Sequence, residues 1–270
     1  MTASLDHPIY QELLAHLLEL RFATTEQLAR LTREHYGSSR SARRQTMRHL
    51  SKLEQHGQLL RLERRVGGWQ HGSTPSIWAL TTTGYRQATG HSGTRQRPNL
   101  ISTTFLEHLL AIAETRIIAN ETVQRFPGAE LRVETEPACW RNYLGPHGER
   151  LTLRPDLLMS VTTTEYLDRY FIEVDRATEN PARVIAKCWQ YVRYRRSGAE
   201  QRSSGAFPAV LWIVPTAKRR TQLRAHLEAA ELPQDMFTVL TLDELPEIIR
   251  DGPPLTKQNN TRKENTPYET

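Results

Sequence analysis

Cysteine is nearly missing from this chain: 270 residues hold only Cys139 and Cys188. Two thiols so far apart in sequence exclude a disulfide framework and a zinc knuckle, and read as ordinary buried thiols. Long apolar runs are missing too. None approaches the roughly 20 residues that span a bilayer, so no membrane helix is expected. The opening Met-Thr-Ala-Ser-Leu-Asp-His lacks the basic and apolar regions of a signal peptide, from which a cytoplasmic location is expected. The remaining composition, 38% hydrophobic and 24% charged, is that of a globular protein long enough for two domains.

Positive charge is present in excess, and it is unevenly placed. Residues 1–99 carry 14 Lys+Arg against 7 Asp+Glu, residues 100–250 carry 19 against 20, and residues 251–270 carry 3 against 3. The whole surplus therefore falls in the first third, an electrostatic footprint for a polyanion, with nucleic acid the first candidate.

That first third has helical spacing. Pro8 opens a helix with Ile9, Leu13, Leu14, Leu17 and Leu18 on one side. Thr24 and Gln27 form a capping box for a short second helix, and Ser38-Ser39 caps a third that runs from Arg40 to Gln55 and stops before Gly57. On the third helix Ala42, Thr46, Leu50 and Leu53 are expected to face the other helices. Arg40, Arg44, Arg48 and Lys52 form a basic stripe, with Arg43, Gln45 and His49 beside it. Such a face supplies cations for phosphates and polar tips for base edges, although a charged helix face is often merely solvated. Strands at residues 58–66 and 76–80 are expected to flank a Gly-rich tip approached by Arg61, Arg64 and Arg65, with Trp69 bracing it. The succession of three helices and two strands, ending in Ile-Trp-Ala-Leu-Thr and Thr-Thr-Gly-Tyr, resembles winged helix-turn-helix DNA-binding domains. Residues 1–90 are read as this domain and residues 91–99 as a linker, since they lack apolar residues and carry Gly, Pro and Arg.

The second domain is expected over residues 100–250. An amphipathic helix over Thr104–Arg125 is expected to turn Phe105, Leu109, Ile112, Ile117 and Ile118 inward, with Glu107, His108 and Glu114 elsewhere on its surface. A strand at 131–136 follows, then a long hairpin over Leu151–Arg176. With its turn centred near Thr164 and Glu165, antiparallel pairing sets Asp156 opposite Glu173, while Glu173 and Asp175 share a face. Carboxylates so close require a proton or a cation among them, and oxygen ligands on strands suit Mg²⁺ or Mn²⁺. Alternatively they are solvated, or paired with Arg154 and Arg176. Helices at 181–196 and 218–230 alternate with strands at 208–215 and 237–242, which implies parallel pairing through crossovers. The polar tail 251–270 is expected to be disordered.

Pro155-Asp156 and, a hairpin later, Glu173-Val-Asp175 resemble the PD-(D/E)XK nuclease-like fold, a mixed-sheet α/β core. Asp175 stands where that pattern has lysine. The resemblance implies catalytic and metal roles for Asp156, Glu173 and Asp175, with Lys187 on the following helix as a substitute lysine and Glu114 or Glu107 as a further acid. Gln190-Tyr-Val-Arg-Tyr194 is also similar to the Gln-x-x-x-Tyr motif of RecB-type nucleases. Over residues 5–245, Phe-Leu-Glu-His-Leu-Leu-Ala, Leu-Arg-Pro-Asp and above all Glu-Val-Asp-Arg-Ala-Thr-Glu resemble the replication-relaxation family. That resemblance implies a plasmid or mobile-element protein acting on double-stranded DNA in replication or relaxation, beside a relaxase or replication initiator. A homodimer on two half-sites is a further expectation. The chain lacks a relaxase-like cluster of tyrosines or histidines, so strand transfer by this protein is not expected. Two alternatives stand beside this reading: an Mg²⁺-dependent DNA endonuclease, and a transcriptional regulator whose nuclease-like core has lost its chemistry.

Overall fold

The computed structural model describes residues 7–62, 76–91, 101–178, 180–233 and 235–252. The chain divides into two compact units, Met1–Ile117 and Ile118–Thr270. Among the described residues it is a mixed α/β protein with nine α-helices.

In the first unit, α1 (Pro8–Leu20) begins at its proline, and the His7 ring accepts the Ile9 N–H. The expected capping box opens α2 (Thr25–Leu31), where Gln27 N–H reaches Thr24 Oγ1 at 3.1 Å and Thr24 N–H reaches Gln27 Oε1 at 3.0 Å. Ser38 caps α3 (Ser39–Gln55), which buries Ala42, Thr46, Leu50 and Leu53 as its spacing requires. Three antiparallel strands, β1 (Phe22–Thr24), β2 (Leu59–Leu62) and β3 (Ile77–Leu80), form a sheet in the order β1-β3-β2. The strand β1 is too short to show an alternation in sequence. The core joins Leu13, Leu14, Leu17, Leu28, Leu50, Leu53 and Trp78, whose indole N–H donates to Thr25 Oγ1 at 2.9 Å. Next comes α4 (Thr82–Thr89), docked so closely that a Cβ on Gly84 would lie 2.0 Å from the Gln58 carbonyl oxygen. The expected tip of the β2–β3 connection, with Arg64, Arg65 and Trp69, residues 92–99 of the expected linker and residues 253–270 of the expected tail lie outside the described residues.

Helix α5 (Thr103–Val123) starts in the first unit and ends in the second, which meet in sequence at Ile117–Ile118. Leu109, Ile112 and Ile117 are buried as expected, but Phe105 is 38% exposed, with the Arg21 guanidinium 5.5 Å from its ring centre. Buried positions occur all round α5, including Leu106, Ala113, Thr115 and Ala119, so it is not the one-faced helix its sequence suggests.

The second unit is built on a five-stranded mixed sheet in the order β10-β9-β8-β7-β4: β4 (Glu130–Thr135), β7 (Leu157–Thr162), β8 (Leu167–Val174), β9 (Ala209–Val214) and β10 (Phe237–Thr241). The first three pair antiparallel; β8 with β9 and β9 with β10 pair parallel. Leu157 pairs with Ile172 and Thr162 with Leu167, which is the register that a turn at Thr164-Glu165 demands. The rising arm is not one strand, however. Residues 151–153 belong to a separate hairpin of β5 (Arg141–Leu144) and β6 (Arg150–Leu153), and the chain breaks at Arg154-Pro155 before β7. Helices α6 (Pro181–Ser197) and α8 (Ala217–Ala229) pack together, and Val184, Cys188, Tyr191, Leu223 and Leu227 meet Leu158, Phe171, Val210 and Trp212 of the sheet in one core. Two short helices, α7 (Ala199–Ser204) and α9 (Leu245–Asp251), were not expected from the sequence. The described part of the chain has no helix long and apolar enough to cross a membrane.

Candidate functional site

Two groups of charged residues were singled out by sequence, one in each unit. On α3 the arginines stand outward: Arg40, Arg43, Arg44 and Arg48 are exposed, and Gln45 and Lys52 are half-buried. Arg43 Nε lies 3.5 Å from Glu26 in an open pair, and Arg48 donates to Gln45 Oε1 at 3.3 Å. Lys52 lies over the Tyr10 ring at 5.4 Å, so it braces α1 as well as adding charge. Arg40, Arg44 and Arg48 make no ion pair among the described residues. His49 packs between His7 and Tyr10, and burial together with the neighbouring His7 and Lys52 lowers its pKa.

In the second unit, Asp156 and Glu173 come together as the hairpin register requires. Asp156 N–H bonds to the Ile172 carbonyl at 3.1 Å, and Asp156 Oδ2 accepts the Val174 N–H at 2.7 Å. Cys139 Sγ donates to the Pro155 carbonyl at 3.1 Å and helps fix the bend before Asp156. Both cysteines are buried, and burial pushes each thiol up to about 12.

Glu173 is 1% exposed. One of its carboxylate oxygens accepts from Lys187 Nζ and the other from Tyr191 Oη at 2.5 Å. Lys187 and Tyr191 are four residues apart on α6 and therefore reach the same point. Burial pushes Glu173 up to about 8; Lys187 pulls against that, Asp156 adds to it, and Tyr191 also pulls down. Asp175 has a different partner. Its Oδ2 accepts from Arg219 Nε at 2.6 Å and its Oδ1 from Ala177 N–H at 2.8 Å. Arg219 sits in the first turn of α8, whose Thr216 cap places it just beyond the end of β9.

Asp156, Glu173 and Lys187 thus form one constellation, and Asp175 with Arg219 forms another. As a donor set for a divalent cation, Asp156 and Glu173 fit by residue type: both offer hard oxygens, and a carboxylate oxygen that accepts one hydrogen bond keeps a second lone pair. The guanidinium on Asp175 fits a cation poorly. The other expected members lie elsewhere. Glu114 is bound within the first unit by Arg30 and by Gln27 Nε2 at 3.1 Å, and His108 and Glu107 are half-buried on α5. Tyr194 donates to Glu200 Oε2 at 2.6 Å, while Gln190 donates to none of the three acids. Arg154 lies over the Trp140 ring at 4.7 Å.

Three participants escaped sequence reading. Tyr191, within the Gln190-x-x-x-Tyr194 spacing and on the face of Lys187, is readable as a surface neighbour but not as the tyrosine that reaches Glu173. Arg219 is 44 residues from its acid, and no local pattern links them. Glu200, 1% exposed, is enclosed by Arg169 at 2.8 Å, Arg141 at 3.3 Å and Tyr194. Its only local signal is a lone acid in the short stretch between Gly198 and Gly205.

No curated protein matches the chain. The model of one family, described as replication-relaxation, matches residues 14–210, taking in α3, the paired acids and Lys187. With most of its length matched, from the first helix to β9, the chain belongs to the replication-relaxation family.

Proposed function

We propose that this chain is a DNA-binding protein of a plasmid or other mobile element, acting in DNA replication or relaxation. In this reading the first unit is a winged helix, with α3 as recognition helix and the β2–β3 connection as wing, and double-stranded DNA is the ligand. The second unit is a PD-(D/E)XK-like core that serves assembly or DNA contact. A relaxase or replication initiator, and a second copy of the chain on a paired half-site, are the partners it would meet.

The observation that carries the reading is the exposed row Arg40, Arg44 and Arg48, which has no carboxylate against it among the described residues. A helix that spends three cations on water gains little stability, whereas on DNA each neutralised phosphate releases counterions. Duplex binding measured against salt tests it. The affinity should fall steeply with salt, and replacing Arg44 and Arg48 with alanine should flatten the log–log slope by about 2. A slope that is unchanged in the double variant, or absent in the parent, would remove α3 from the interface.

Lys187 beside Glu173 and Asp156 supports a second reading, in which the core is an Mg²⁺- or Mn²⁺-dependent endonuclease. A bound cation would supply an activated water to a phosphodiester. The chain's part would be to hold the ion with Asp156 and Glu173 and to place the Lys187 ammonium where charge develops. Asp175, held by Arg219, stays outside this role. Nicking of supercoiled DNA that needs Mn²⁺ and disappears in Asp156→Ala would establish it; equal nicking by parent and variant would refute it.

A further inference from the structure

The first unit holds the chain's charge surplus, yet one helix of the second unit is more one-sided than α3. Helix α6 carries Arg183, Lys187, Arg193, Arg195 and Arg196 and no acid at all. Two of these cations are occupied: Lys187 by Glu173, and Arg195 by Asp235 at 2.9 Å. Arg183, Arg193 and Arg196 are exposed and make no ion pair among the described residues. Their positions, with Ala186 and Trp189 between them, advance by three or four residues and so stay on the outer half of the helix, away from buried Val184, Cys188 and Tyr191, over about 20 Å. Trp189 stands in this row 38% exposed, with the small exposed side chain of Ala186 one turn before it. Arg193 and Arg196 repel each other at i,i+3, a cost that an anion lying along the face would offset.

We infer that the outer face of α6 binds single-stranded DNA, with Arg183, Arg193 and Arg196 on phosphates either side of Trp189, which stacks on an unpaired base. A flat aromatic ring amid cations is the arrangement that single strands use, because every unpaired base offers an open face, whereas the base faces of a duplex are covered by their neighbours. This surface is separate from the row on α3 and needs nothing from it. Together they would hold a duplex and a single strand on one chain.

Anisotropy of labelled oligodeoxythymidylate with the full-length protein tests the inference, with a duplex and an oligouridylate as parallel arms. Trp189→Ala should weaken single-strand binding about tenfold or more, and Trp189→Phe should restore most of it, while both leave duplex affinity within about twofold. Arg193→Glu with Arg196→Glu should reduce the salt slope on the single strand by about 1.4. The inference is overturned if these variants melt like the parent and still bind the single strand as tightly, or if they lose duplex and single strand equally. Tighter binding to oligouridylate than to oligodeoxythymidylate would overturn the assignment to DNA. Failure of the duplex arm alone would count against α3 and leave this surface standing.

Discussion

Arg40, Arg44 and Arg48 stand on an exposed helix face without an acid against them among the described residues, whereas Glu173 and Asp175, two residues apart at the end of β8, each hold a cation from a different helix. The first arrangement contributes little to folding and leaves charge available to something outside the chain. The second is closed on itself, because an ion buried alone would cost several kcal/mol. Charge on α3 can therefore change at little cost to folding, while charge around β8 cannot. Substitutions at the two places should separate cleanly along that line.

The largest effect is expected at Arg219. Its removal in Arg219→Ala strands the Asp175 carboxylate, 4% exposed, with a single backbone donor, and should cost about 3–5 kcal/mol in a denaturation experiment. Adding Asp175→Asn to that variant should recover part of the loss, since the stranded charge is gone while the Ala177 N–H keeps an acceptor. If the double variant is as unstable as the sum of the singles, the pair does not act as one unit.

A smaller loss, about 1–3 kcal/mol, is expected for Gly84→Ala, because the new methyl would meet the Gln58 carbonyl and α4 would have to move. This site tests the comparison from the neutral side: the first unit depends on close packing as the second depends on closed charge.

Glu173 adds a dependence on pH. Its carboxyl is raised from 4.5 to about 8, first by burial, so between these values the folded chain holds a proton that the unfolded chain has released. Stability must then fall as pH rises through that window, by up to about 1.4 kcal/mol per unit from this group. Glu173→Gln should flatten the dependence of the urea midpoint between about pH 5 and 8. A parent profile that rises instead through that range would mean that Lys187 and Tyr191 hold the carboxylate ionised.

Why part of this was legible in sequence, and part not, follows from distance along the chain. The helix α3 announces itself by a cap and a buried stripe within 17 residues, and the facing of Asp156 and Glu173 follows from one turn position. Lys187 was expected near the acids because a helix after β8 must pack on the sheet. By contrast, the Asp175–Arg219 pair and the cage around Glu200 join residues from separate elements, so only the folded chain brings them together. The strand β6 is hidden at the start of an apolar stretch that reads as one strand until Pro155 interrupts it, and its partner β5 lies upstream of that stretch.

The smallest expected change in stability is also the most discriminating. Alanine at Arg44 and Arg48 removes two exposed side chains whose one hydrogen-bond partner among the described residues is Gln45, on a helix where alanine is the better helix former, so the melting midpoint should shift by no more than about 0.5 kcal/mol allows. Duplex affinity should nevertheless drop, and drop most at low salt, where counterion release contributes most. A substitution that is silent in folding and large in binding is what an open row of charge requires. If unfolding and binding weakened together, the arginines would be holding the first unit in place, and α3 would belong with β8 on the closed side of the comparison.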